Sequence, residues 1–95
     1  MVDLEKAFDK YANDYLKFDD VENKLSQRAD LHAFILLDKL CPDNTDIVDS
    51  AEHDEFYLSI DCERLAKIIT EEQVLELARC GVRYDDRFES LAMFA

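Results

Sequence analysis

Pro42 and Gly81 are the only proline and the only glycine among 95 residues, and this scarcity constrains the fold more than any other feature. Such a chain has no flexible linker, no low-complexity tract and no Gly-rich phosphate loop. It has to be built from closely joined regular elements, and the places where they break are conspicuous. Pro42 cannot continue a helix, and Asp43, Asn44 and Thr45 behind it supply turn chemistry. The polarity pattern changes there, from steps of three and four residues before it to alternation after it.

In the first part, Leu4, Phe8, Tyr11 or Ala12, and Tyr15 fall on one stripe, which predicts a helix over residues 3–16 that stops near Lys17. Asp19 is placed to cap a second helix, with Glu22 three residues later in a capping-box-like pattern. Val21, Leu25, Ala29, Ala33, Leu37 and Leu40 carry that helix to Pro42. Residues 31–37 are apolar on nearly every side, which implies burial against more than one neighbour or against another chain. Beyond Pro42, Ile47-Val48 and the alternating Phe56, Leu58 and Ile60 read as two strands around a turn at residues 51–54. Asp61 caps a short helix over residues 62–68, and Thr70 with Gln73 forms a capping box for a helix that ends at Gly81. Val82 to Tyr84 and Leu91 to Phe94 then flank a polar turn at Asp85, Asp86 and Arg87. The expected fold class is α+β: an N-terminal helical hairpin packed on a small antiparallel sheet of three or four strands, with one or two further short helices. Residues 1–95 are expected to form a single compact acidic domain.

Twenty-three acids against eleven bases give a formal charge of -12 and a pI near 4.3. That balance argues against a general binder of nucleic acid or of anionic membranes, because phosphate attraction requires positive charge. A hydrophobic content of 48% is too high for an acidic disordered tail. Cys41, Cys62 and Cys80 are an odd number at wide spacing, without a CxxC pair or a secretory apolar segment at the N-terminus, so reduced thiols and a cytoplasmic location are expected. The longest apolar run, residues 33–37, is far short of the roughly 18 to 20 residues of a membrane span.

No cofactor or metal is expected. A calcium loop starting at Asp43 would place Ile47 at its fifth position and Val48 where glycine is required. Three distant cysteines and two lone histidines match no zinc spacing. His32 lies in the apolar half of the second helix and reads as a core histidine with a local hydrogen bond. His53 sits in a turn between acids and reads as a contact. Cys62, beside a helix N-terminus, is the thiol placed where a thiolate would be stabilised, yet it has no partner histidine at a defined spacing. The expectation is a protein that is not an enzyme.

The charge is concentrated. Half of the net charge lies in residues 31–60, and no lysine or arginine occurs between Lys39 and Arg64. Asp43, Asp46, Asp49, Glu52, Asp54 and Glu55 fall within thirteen residues around the first predicted hairpin. Mutual repulsion makes such a cluster costly, and it reads either as a solubilising face that guards exposed strands or as a surface for a basic partner. Carboxylates two apart on a strand lie about 6 to 7 Å apart, comparable to successive phosphates of one nucleic-acid strand. In size and charge, though in no residue motif, the chain resembles small phage-encoded DNA-mimic inhibitors of restriction and other bacterial defences. That resemblance implies a basic, nucleic-acid-binding protein as partner, with no direct contact to nucleic acid or membrane. The alternative is a homo-oligomeric structural or adaptor protein, a homodimer formed through the apolar second helix and a C-terminal edge strand bearing Leu91, Met93 and Phe94, with the acids conferring solubility only.

Overall fold

A computed structural model describes residues 1–94. Among them are four helices, α1 (Leu4–Lys10), α2 (Ala29–Leu40), α3 (Cys62–Ile68) and α4 (Glu71–Arg79), and four strands, β1 (Val48–Glu52), β2 (Glu55–Leu58), β3 (Arg83–Asp85) and β4 (Ser90–Phe94). The strands form one antiparallel sheet in the order β1-β2-β4-β3. The fold is therefore α+β. The radius of gyration, 12.1 Å, matches the ~12 Å of a packed chain of this length.

The local signals that set these elements are short-range. The Asp61 side chain accepts from the N–H groups of Glu63 and Arg64 and starts α3. Thr70 and Gln73 exchange bonds with each other's backbone N–H, a complete capping box for α4. At the far end Gly81 adopts φ +95°, the Val82 N–H reaches the Leu77 carbonyl and the Gly81 N–H reaches that of Ala78. This is a Schellman closure, and it turns the chain straight into β3.

The core lies between the inner sheet face and the helices. Leu58, Leu91 and Met93 of the sheet pack with Leu4 and Phe8 of α1, Leu37 of α2, Leu65 of α3 and Leu77 of α4. Each such leucine contributes about 1.5 to 3 kcal/mol by leaving water. Among the described residues, no helix packs on the outer face. Its centre is nevertheless covered, because Phe88 from the β3–β4 turn packs edge-on over Tyr57 with ring centroids 5.1 Å apart, and Ala92 beneath is fully buried.

The N-terminal third differs from the expectation in its boundaries. α1 stops at Lys10, six residues early, and α2 begins at Ala29 instead of just after Asp19. Two 3-10 turns, Ala12–Asp14 and Phe18–Asp20, lie between them. Leu16 and Asn23 there adopt left-handed backbone angles that no α-helix contains. Tertiary bonds compensate. The Leu16 N–H donates to the Ala78 carbonyl, and Arg79 donates to the Asp20 carbonyl and the Asp14 carboxylate. The segment is thus spent on covering α4, and α1 also packs chiefly on α4.

Candidate functional site

The first hairpin is tighter than its sequence predicts. Ala51 and Glu52 belong to β1, leaving only His53 and Asp54 in the turn. Both have positive φ, 53° and 63°, the signature of a two-residue type I′ turn whose twist suits the flanking strands. Histidine and aspartate are among the side chains that best tolerate this region. Glu52 pairs with Glu55, Ala51 with Phe56 and Ser50 with Tyr57, and Asp49 is then the extra residue of a bulge.

The approach to β1 is anchored by backbone. The Arg64 guanidinium donates to the Pro42 carbonyl at 3.2 Å, the Ser59 N–H donates to the Ile47 carbonyl at 2.8 Å, and the Ser59 hydroxyl donates to the Asp46 carbonyl. Arg64, the first base after the acidic stretch, is therefore turned to a carbonyl. The Asp43 carboxylate accepts the Asn44 N–H at 2.6 Å and otherwise faces solvent.

Asp43, Asp46, Asp49, Glu52 and Asp54 are all exposed, and none forms an ion pair among the described residues. Glu55 is different. It is half-buried on the outer sheet face, paired with Arg83 of β3 across the intervening β4, while the Arg83 guanidinium stacks 4.2 Å from the Phe94 ring. Its charge is already met, so it leaves the candidate surface. No two of the remaining acids lie two apart on one strand. Asp49 and Glu52, three residues apart on β1, are separated by ~10 Å of strand rise, and the other three stand in the connection and the turn.

The C-terminal strand is corrected more fully. β4 is interior, bonded to β2 on one side and β3 on the other, and Leu91 and Met93 are buried in the core. It presents no edge to a second copy. Phe94 alone of the three is exposed, at 57%, over Arg83.

His32 is the core histidine expected, fully buried, with Nδ1 accepting the Leu25 N–H at 3.0 Å. Its partner Glu76 lies 44 residues away, beyond any spacing rule. Cys62 does not gain from its helix terminus: burial dominates and pushes its thiol up to about 11. Burial likewise pushes Cys80 up to about 12. A groove of about 830 Å³ lies elsewhere, between α1, α3 and the β3–β4 end of the sheet, with Asp3, Glu5, Cys62, Glu63 and Tyr84 in its walls. Among the described residues no cluster of three His, Cys, Asp or Glu side chains could hold a metal ion, and no helix is long and apolar enough to cross a membrane.

No family model, curated protein or solved structure matches this chain.

Proposed function

We propose that this is an acidic, non-enzymatic binding protein in which Asp43, Asp46, Asp49, Glu52 and Asp54 meet lysines and arginines of a basic, nucleic-acid-binding protein. In its sharpest form it is an inhibitor whose carboxylates stand in for phosphates. One observation carries the reading: five exposed carboxylates that form no ion pair among the described residues sit around one anchored hairpin, in a stretch without a lysine or arginine. Elsewhere some acids are paired, as in Lys10–Glu71, Arg79–Asp14 and Arg87–Asp85, and others such as Asp9, Glu22 and Glu72 are exposed without an ion pair among the described residues. What sets the hairpin apart is the clustering of its acids in a stretch without a lysine or arginine. Unmet charge of one sign raises association rates with a basic surface and makes affinity fall as salt rises.

The test is displacement. Fluorescent duplex DNA is bound to each of a panel of basic nucleic-acid-binding proteins and the acidic protein is titrated in at low and at high salt. The reading predicts release of DNA from at least one member, weaker at high salt and lost in the triple variant Asp46→Lys, Asp49→Lys, Glu52→Lys. No release from any member, or equal release by the triple variant, would refute it.

A second reading, self-association with the acids serving solubility, draws on Phe88 and Phe94, 56% and 57% exposed on the outer sheet face. It predicts a dimer that strengthens with salt, since apolar burial would drive it.

A further inference from the structure

The two edges of the sheet are not equivalent. β3 has three residues and lies against α1. β1 has five, every one exposed, and packs chiefly on β2. In antiparallel pairing, residues alternate between bonding the neighbouring strand and bonding outward. The two-residue turn makes Glu52 and Glu55 a hydrogen-bonded pair, so Ala51, opposite Phe56, points its N–H and C=O away from β2. This donor and acceptor lie on the open side of the sheet, and unpaired edge groups of this kind are a template for a further strand.

The charge beside that edge selects what can pair there. Asp49 and Glu52 lie on β1, with Asp46 before them and Asp54 after, all exposed. A second copy would bring the same acids to the same place and be repelled. A strand with lysine or arginine at alternate positions would be attracted, since its side chains fall beside carboxylates while its backbone meets Ala51.

We propose that the β1 edge receives an extended, lysine- or arginine-bearing segment of the basic partner as a fifth strand, with the Ala51 N–H and C=O at the centre of the new pairing. The proposal rests on the reading of the hairpin acids as a surface for a basic partner, and adds the geometry by which that partner is held. Backbone bonds supply affinity and the acids supply selectivity, as in other cases of strand addition.

The probe is a nine-residue peptide of alternating lysine and valine, blocked at both ends, titrated into the isotopically labelled protein and followed by NMR and calorimetry. The expected result is a shift of the Ala51 amide and slower exchange of its proton with solvent. Two changes should each weaken binding about tenfold. One is N-methylation of alternate peptide residues, which leaves the protein untouched. The other is Ala51→Pro, which deletes only the outward N–H at an edge position where proline is tolerated. If the peptide does not bind at low salt, or if the N-methylated peptide binds as well as its parent and Ala51 is unmoved, strand addition is wrong. In that second case, continued sensitivity to Asp49→Lys and Glu52→Lys would leave the basic-partner reading standing. Insensitivity to those reversals would remove that reading as well.

Discussion

The imidazole of His32 donates from Nε2 to the Glu76 carboxylate at 2.5 Å while its Nδ1 accepts the Leu25 N–H at 3.0 Å. Because Nδ1 is an acceptor, the ring proton resides on Nε2. One buried side chain therefore ties α4 to the irregular segment that precedes α2, and Phe18 closes over it edge-on at 5.7 Å. His32→Phe keeps the ring volume and deletes both bonds, leaving the Leu25 N–H without its partner and the part-exposed Glu76 carboxylate to water. The expected loss is about 2 kcal/mol in urea unfolding, with His32→Ala costing more because it adds a cavity. A change below about 0.5 kcal/mol in His32→Phe would show that the tether contributes nothing.

Gly81 governs the passage from α4 to β3. A Cβ added there would stand 2.8 Å from Leu16 Cδ2, on a backbone with φ +95°. Gly81→Ala should lower stability by about 1 to 2 kcal/mol, measured by thermal unfolding. Leu16 is itself 63% exposed, so its side chain can be trimmed at little cost. Leu16→Ala combined with Gly81→Ala relieves the contact but leaves the backbone strain, and should recover only part of the loss.

The thiols give a pH signature on the alkaline side. Burial raises Cys62 from 9.0 to about 11 and Cys80 from 9.0 to about 12. The folded form holds its protons more tightly, so this stabilisation is complete below about pH 9 and is lost as pH rises towards 11 and 12. The variant Cys62→Ala, Cys80→Ala should show a flatter fall in urea midpoint over that window. At pH 8, alkylation of these thiols in the folded protein should be far slower than after unfolding in urea.

On the acid side the relevant group is Asp85, buried at the end of β3. Arg87 holds its carboxyl below the ordinary 3.8 through side-chain bonds at 2.9 and 3.3 Å and a backbone N–H at 2.9 Å. A depressed carboxyl contributes stability above its unfolded value and loses it as pH falls through the lower folded one. Asp85→Asn should therefore remove part of the acid sensitivity below about pH 4, read as a smaller difference in urea midpoint between pH 7 and pH 3 than in the parent.

Which parts of this architecture are legible in the sequence follows from the range of the interactions that set them. Asp61, Thr70, Gln73 and Gly81 act within three to five residues, and the ends they mark are where the pattern places them. The antiparallel sheet is legible for the same reason, from alternation and turn residues. The start of α2 is not, because Asp19 has the chemistry of a cap but Arg79 and Glu76, more than forty residues later, draw that segment across α4. The interior position of β4 is a matter of strand order, which polarity does not encode. At the hairpin, the exposure of five acids agrees with their clustering, whereas the capture of Glu55 by Arg83 depends on two strands meeting across a third.

The proposed function requires that position, and not charge alone, make the β1–β2 acids a binding surface. The most direct measurement compares two triple variants of equal net charge in the DNA-displacement titration. One reverses Asp46, Asp49 and Glu52 to lysine. The other reverses Asp9, Glu22 and Glu72, which are also exposed and without ion pairs among the described residues but lie outside the hairpin. Under the proposed function the hairpin variant no longer releases DNA from the basic protein, while the other retains most of the parent's effect. Equal loss in both variants would contradict it, and would reduce the acidic hairpin to one part of a uniformly solvating surface.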